Sequence, residues 1–167
     1  SAKILMTKRR IRDWYDYFDG QVYVSFSGGK DSTVLLHIAR ELYPDIEAVF
    51  VNTGLEYPEI QQFVKTFDNV TILRPKMRFD EVIKTYGYPV ISKAVANCVR
   101  GARNGSKSRI NLLDGKDCDG SDRKSKFSKL KYKPLLNLDI KISEQCCDVM
   151  KKSPSYQFQK KTGKKPI

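Results

Sequence analysis

Short apolar runs and helically spaced apolar positions alternate along this chain. Residues 22–26 are β-branched and aromatic and predict a buried strand, and residues 32–42 then carry apolar side chains at helical spacing. The same reasoning predicts further strands at 46–52 and 70–73, and helices at 3–19, 58–67, 78–86 and 91–103. Strands that alternate with helices indicate an α/β fold, with a doubly wound, mostly parallel sheet and helices on both faces.

The length of 167 residues fits one domain, so we predict a single domain over 1–167 that opens with an N-terminal helix within 1–19. Residues 101–133 are polar and charged, which predicts a mobile loop or lid over a ligand, with plain surface disorder as the alternative. Apolar character resumes only at 164–167. We therefore expect the chain to stop before the C-terminal part of the domain, with the next strand missing.

The net charge of +12 favours anionic partners, either nucleotides or a nucleic acid. Positive charge is densest in four segments that are either solvated faces or a nucleic-acid surface: Lys8–Arg10, Arg123–Lys126, Lys129–Lys133 and Lys160–Lys165. No run reaches the roughly 18 apolar residues of a membrane span, and no secretory signal opens the chain. We expect a cytoplasmic protein without a membrane partner, whose four cysteines are reduced, metal-bound or redox-active. No feature of the sequence indicates an oligomeric state.

The strongest chemical signal is the segment Ser27-Gly28-Gly29-Lys30-Asp31-Ser32, between the first strand and its helix. Adjacent glycines permit a tight turn, and the first N–H groups of the helix face that turn, which favours a bound phosphate or sulfate. Lys30 adds a positive charge, the Ser27 and Ser32 hydroxyls add hydrogen bonds, and Ser25 ends the preceding strand beside them. The spacing is not that of a Walker A loop. A strand-to-helix turn without a ligand is the alternative interpretation.

Residues 27–32 match the SGGxDS signature residue for residue, and the chain therefore resembles the PP-loop superfamily. That resemblance implies an adenine nucleotide alpha hydrolase-like, Rossmann-like fold and the binding of adenosine nucleotides, which many members cleave between the α and β phosphates. It also implies catalytic roles for Lys30 and Asp31. With ATP as the ligand, Mg²⁺ would be held through Asp31 or water.

Two further segments resemble the phosphoadenosine phosphosulfate reductase branch of the superfamily. Residues 51–59 match its D/N-T-G-x-x-x-P-E stretch, which implies nucleotide contacts by Asn52, Thr53, Gly54 and Glu59. A plain helix start with Pro and Glu in the first turn explains the same residues. Gly87–Lys93 resembles the turn and Ser-Lys pair of the branch, implying that Ser92 and Lys93 lie near the nucleotide. A surface helix cap is the alternative there.

The adjacent pair Cys146-Cys147 resembles the first half of the ligand set in iron–sulfur sulfonucleotide reductases. A [4Fe–4S] cluster needs four thiolates, and this sequence has no CxxC. We therefore expect a cluster only in a longer protein, and two helical cysteines, one packed in the core, are the alternative. The ECGxH-like tail that carries the catalytic cysteine of such reductases does not occur in this sequence either.

Together these features predict an adenosine-nucleotide-binding domain of the phosphoadenosine phosphosulfate reductase family, acting in sulfur metabolism. The ligand would be ATP, adenosine phosphosulfate or phosphoadenosine phosphosulfate. The enzyme would be an ATP pyrophosphatase or adenylyltransferase, or a sulfonucleotide reductase whose reaction this stretch of chain alone does not complete. The alternatives are a nucleic-acid sulfur-modifying enzyme with ATP pyrophosphatase activity, by thiolation or phosphorothioation, and a non-catalytic nucleotide-binding module.

Overall fold

The computed structural model describes residues 1–122 and 128–167 and contains a parallel sheet of four strands. The strands are β1 Val22–Ser25, β2 Ala48–Val51, β3 Val70–Leu73 and β4 Lys165–Pro166. Their order is β3-β2-β1-β4, and every neighbouring pair is parallel. Strands β2 and β3 lie on one side of β1, and β4 lies on its other side. In such sheets ligands bind beyond the carboxyl ends of the strands at this reversal of strand order, so the end of β1 is the expected position of a site.

Helices connect and surround the strands, which confirms the α/β, Rossmann-like class. They are α1 Ala2–Tyr17, α2 Lys30–Leu42, α3 Pro58–Lys65, α4 Phe79–Tyr86, α5 Lys93–Arg103, α6 Lys107–Leu113 and α7 Ser153–Thr162. A 3₁₀ helix covers Leu130–Asn137 and a π-helical turn covers Asp148–Lys152. None of the helices in the described part of the chain combines the length and apolar character needed to cross a bilayer.

The described residues form two compact units, and the prediction of a single domain over 1–167 stays a prediction. The first contains Ser1–Arg78 and Val149–Ile167, and the second contains Phe79–Asp148. The first unit holds the sheet, and its core joins β1 and β2 to α1, α2 and α3 through buried side chains such as Ile11, Val24, Phe26, Leu36, Phe50 and Val64. The second unit packs α5 against α6 around a separate core that includes Val95, Val99 and Leu113.

The structure differs from the prediction that 101–133 is a polar loop. Helix α6 lies inside that segment because Leu112 and Leu113 are buried in the second core. An average over the whole polar segment hides this short apolar pair. Arg123–Lys126, one of the predicted basic clusters, lies outside the described residues.

A fourth strand is present at the residues where apolar character resumes in the sequence, and the expectation that the C-terminal part of the domain lies beyond them stays a prediction. Lys165 N donates to Gln21 O, and Ile167 N donates to Tyr23 O, both at 2.8 Å. These bonds place the last residues beside β1 in parallel register, with Val22 opposite Lys165. The strand is short and contains Pro166, which is why its apolar pattern is weak in the sequence.

Candidate functional site

The turn from β1 into α2, residues 26–29, passes close to helix α3. Gly28 in this turn has φ +73°, a conformation that favours glycine. A Cβ atom at this position would lie 2.8 Å from Ile60 Cγ2 and 3.1 Å from Val64 Cγ2. Gly28 is therefore required both by its backbone conformation and by the space that α3 leaves. We call residues 26–29 the β1–α2 loop.

Hydroxyl groups hold the β1–α2 loop in shape. Ser32 Oγ lies 3.0 Å from Ser27 Oγ, accepts a hydrogen bond from Ser27 N at 3.2 Å and donates to Gly29 O at 3.0 Å. Thr33 Oγ1 also donates to Gly29 O, at 2.9 Å. The two serines that the sequence predicts as anion ligands thus brace the loop, and Thr33 is a supporting residue that the sequence prediction missed.

Helix α2 begins directly after this loop, with Gly29 at its N-cap. No side-chain hydrogen bond caps this helix, and N–H groups in a first turn have no intrahelical acceptor. The positive end of the helix dipole lies at the same place. Lys30 and Asp31 are exposed in this first turn, so the ammonium group adds to a positive potential that favours an anion.

A cleft of about 210 Å³ opens at the carboxyl ends of β1 and β2; we call it the first cleft. Its lining includes Ser25, Phe26 and Ser27 from β1 and its loop, residues 49–51 from β2, and Glu56, Lys151 and Ser155. The loop after β1 and, through Glu56, the loop after β2 both contribute to this cleft. Lys151 brings a second cation to the site. Sequence reasoning missed Lys151, because it is far from the first strand along the chain.

The loop between β2 and α3 is organised by its own side chains. Thr53 is buried, and its N and Oγ1 donate to the two carboxylate oxygens of Glu56, at 2.9 and 2.7 Å. Asn52 Oδ1 accepts from Gly54 N at 2.9 Å, and Asn52 Nδ2 donates to Gln61 Oε1 at 3.1 Å. The predicted residues Asn52, Thr53 and Gly54 therefore lie together. Sequence reasoning missed Glu56 and Gln61, although Thr and Glu three residues apart have the spacing of a capping box.

A second cleft, of about 290 Å³, lies beside that loop on the β3 side. Its lining residues are Asn52, Thr53, Gly54, Gln61, Arg74, Pro75, Met77 and Arg78. The Thr53–Glu56 hydrogen bonds join the two clefts, because Glu56 lines the first and Thr53 lines the second. Glu59, also predicted as a nucleotide ligand, is exposed in the first turn of α3 and lines neither cleft.

The remaining predicted site residues belong to the second unit. Ser92 is the N-cap of α5, and its Oγ accepts from Val95 N at 3.2 Å. Lys93 is the first residue of that helix. The capping role of Ser92 is thus confirmed, and contact of either residue with a nucleotide stays a prediction.

Cys146 and Cys147 are half-buried in the same unit. Burial and the neighbouring Cys147 raise the pKa of Cys146, and the positive charge of Lys93 opposes that shift. Within residues 1–122 and 128–167 no group of three or more His, Cys, Asp or Glu side chains is arranged to hold a metal ion. The described residues thus supply two of the four thiolates that a [4Fe–4S] cluster requires and do not by themselves fit the cluster.

A buried carboxylate precedes the cysteine pair. Glu144 accepts from Asn97 Nδ2 at 2.7 Å and from Arg100 Nε and Nη2 at 3.0 and 2.6 Å. Burial raises the pKa of Glu144, but these hydrogen bonds outweigh it and lower the pKa to about 2. The carboxylate is therefore ionised at neutral pH and ties α5 to the segment before Cys146. Sequence reasoning missed the Arg100–Glu144 ion pair because the two residues are far apart along the chain.

Comparison with known proteins finds a family match over the part of the chain that contains the β1–α2 loop and the loop between β2 and α3. Residues 21–95 match the phosphoadenosine phosphosulfate reductase domain. Two uncharacterised proteins of Methanocaldococcus jannaschii are similar to the chain: one is 36% identical over 87 residues, covering 47% of this chain and 21% of that protein, and the other is 38% identical over 84 residues, covering 47% and 18%. An adenosine 5′-phosphosulfate reductase of Bacillus cereus is 29% identical over 84 residues, covering 46% of this chain and 36% of the reductase. The chain thus spans about a fifth of the two archaeal relatives.

Proposed function

We propose that the first unit binds an adenosine sulfonucleotide at the carboxyl ends of β1 and β2, because residues 21–95 match the phosphoadenosine phosphosulfate reductase domain. The observation that carries the proposal is the β1–α2 loop. Gly28 brings its backbone against α3, and the open first turn of α2 follows with Lys30 exposed. Similarity to an adenosine 5′-phosphosulfate reductase supports a sulfonucleotide as the substrate class.

In the proposed complex the 5′-phosphosulfate lies on the first turn of α2. The N–H groups of that turn and the Lys30 ammonium neutralise its charge. Lys151, which lines the first cleft, supplies a second positive charge to the same ligand. Because the Ser27 and Ser32 hydroxyls already fix the loop, little conformational entropy is lost when the anion binds. Apolar strand residues of β1 and β2 provide a wall for the nucleoside.

The first cleft would hold and orient the sulfonucleotide, and the described residues that line it include no cysteine. Reduction of the sulfur would therefore need a thiol from elsewhere in the protein or from a partner. Positioning and charge neutralisation are the contributions that we assign to this unit.

A second candidate activity is cleavage of ATP between the α and β phosphates, favoured by the full SGGxDS signature with Asp31 exposed beside Lys30. In that reaction a nucleophile attacks the α-phosphorus and pyrophosphate leaves. Lys30 and the α2 N–H groups would stabilise the charge on the leaving group, and Asp31 would help to hold the Mg²⁺ that accompanies ATP. If the acceptor were a nucleic acid, its binding would weaken steeply with salt.

Calorimetric titration with adenosine 5′-phosphosulfate, phosphoadenosine phosphosulfate and Mg·ATP tests the proposal. We expect a sulfonucleotide to bind more tightly than Mg·ATP, and Lys30→Ala to weaken its binding about tenfold. Lys65→Ala is the matched control, because Lys65 is also exposed on a helix but lies in the last turn of α3, whereas Lys30 lies in the first turn of α2. Preference for Mg·ATP would favour the second candidate, and equal effects of the two substitutions would contradict the site.

A further inference from the structure

Helix α1 carries its charges in the order that its own dipole disfavours. All of its cations precede its two carboxylates along the helix: Lys3, Lys8, Arg9, Arg10 and Arg12 come before Asp13 and Asp16. The N-terminal end of a helix dipole is positive and the C-terminal end is negative, so both groups of charges lie toward the end that repels them. This order therefore does not stabilise the helix by itself, and a partner with the opposite order would compensate it.

One side of α1 is packed and the neighbouring side is exposed. Ile11 is buried in the first core, and Lys8 Nζ lies 2.6 Å from Glu41 Oε2, which fixes α1 against α2. Another side presents exposed residues at spacings of three and four, the spacing of a helix-pairing face: Lys3, Met6, Arg10, Asp13 and Tyr17. We call these five residues the α1 stripe. Met6 and Tyr17 are 58% and 77% exposed, so the stripe offers apolar surface together with charges of both signs.

An apolar groove of about 360 Å³ lies beside the α1 stripe and shares Arg10 with it. Its walls include Trp14 of α1, Leu35 of α2 and the last two residues of the sequence, Pro166 and Ile167. Pro166 has no N–H, and its carbonyl accepts from Trp14 Nε1 at 3.1 Å. The backbone at Pro166 is thus a poor partner for an added strand. A helix, which satisfies its own backbone groups, suits this groove better.

A second copy of α1 in antiparallel orientation is a helix whose charges fit this surface. The basic end of each helix then lies against the acidic end of the other, so the order that is unfavourable within one helix is attractive between two. With Arg10 near the two-fold axis, Met6 lies opposite Trp14 of the second copy, at the groove. We propose that the α1 stripe and the apolar groove are a self-association surface, which binds a second copy of this chain through antiparallel pairing of α1. This association does not depend on the ligand proposed for the first cleft.

Sedimentation analysis over a range of protein concentrations tests the inference. We expect the wild-type protein to dimerise with a dissociation constant on the order of 10 μM, as for a small interface. Met6→Asp should weaken the dimer at least about tenfold, because it places a carboxylate beside the apolar groove of the second copy. Leu5→Asp is the matched control. Leu5 is 70% exposed in the same turn but projects about 100° away from Met6 around the helix axis, so its substitution should leave the dimer unchanged.

An exchange of charges within the chain tests the antiparallel pairing itself. In the proposed dimer Arg10 lies within one turn of Asp13 of the second copy. Within one chain Arg9 Nε lies 4.0 Å from Asp13 Oδ2, at exposed positions where an ion pair contributes little. Arg10→Asp and Asp13→Arg should therefore each weaken the dimer, and the double variant should restore it, because the exchange preserves opposite charges across the axis. A variant that merely failed to fold would not be restored in this way.

Four results would overturn the inference. The first is a wild-type protein that stays monomeric at about ten times the expected dissociation constant. The second is an equal loss of dimer in Met6→Asp and Leu5→Asp, and the third is a double variant that stays as weak as the single ones. The fourth is a monomer that binds duplex DNA and loses this binding in Arg10→Asp, which would make the α1 stripe a nucleic-acid surface instead.

Discussion

The substitution Gly28→Ala is expected to destabilise the first unit by about 3 kcal/mol. Placing an alanine at φ +73° costs about 1 kcal/mol in backbone strain. The added methyl group would lie 2.8 Å from Ile60 Cγ2 and 3.1 Å from Val64 Cγ2. Val64 is buried, so α3 must move to relieve the contacts, and overpacking of this kind costs about 2 kcal/mol.

Substitutions at two other glycines separate the cost of backbone strain from the cost of the contact with α3. Gly54 has φ +80° and nothing within 4 Å of an added Cβ, so Gly54→Ala should cost only the strain of about 1 kcal/mol. Gly29 has φ −82°, and its added Cβ would meet only Ser27 Oγ at 3.4 Å. Gly29→Ala should therefore change the free energy of unfolding by less than about 0.5 kcal/mol. The difference between the Gly28 and Gly54 variants measures the contact with α3.

Urea unfolding followed by tryptophan fluorescence is the assay. The single tryptophan, Trp14, lies on α1 of the first unit, and its Nε1 donates to Pro166 O at 3.1 Å. Its emission therefore reports the unit that contains Gly28. The midpoint should fall most for Gly28→Ala while the slope stays constant. If Gly28→Ala were no less stable than Gly29→Ala, the argument that α3 fixes the loop would be refuted.

Two other perturbations test side-chain networks. Glu56→Ala should lower the free energy of unfolding by about 2 kcal/mol, because the N–H and hydroxyl groups of buried Thr53 lose their acceptor. Urea unfolding measures this loss, and an unchanged midpoint would contradict the prediction. The pKa of Glu144 is lowered from the ordinary 4.5 to about 2, so its stabilisation is complete above pH 4.5 and is lost as the pH falls toward 2. Acid unfolding followed by circular dichroism measures this loss. Over this interval the free energy of unfolding should fall by roughly 2 kcal/mol more for the wild type than for Glu144→Gln, a value that allows for the partly exposed Arg100. Parallel curves for the two proteins would refute the Arg100–Glu144 pairing.

The strand and helix pattern was predictable because each element of the first unit has a clear period. The strand predicted at 70–73 agrees with β3 at both ends, and the predicted helix 58–67 begins at Pro58 as α3 does. A helix such as α6 was not predictable, since its burial depends on packing against α5 in the second core. Strand β4 depends likewise on backbone pairing with β1, a contact between the two ends of the sequence.

The candidate site was predictable where a local motif defines it. Gly28 could be identified from the paired glycines, but its contact with Ile60 comes from the packing of α3. Lys151 joins the first cleft only through the return of the chain to the sheet, and Arg74 joins the second because β3 lies beside β2. Local sequence thus identified the loop residues, while the long-range contacts that complete each cleft required the fold.

Amide chemical shifts during titration with adenosine 5′-phosphosulfate test the central claim most directly. If the sulfonucleotide lies on the first turn of α2, the amide signals of Gly29, Lys30 and Asp31 should shift and saturate together. The amide of Lys65, on an exposed helical position outside both clefts, should not move. Saturable shifts confined to other parts of the first unit, with the α2 amides unmoved, would contradict the assignment of the β1–α2 loop as the anion site.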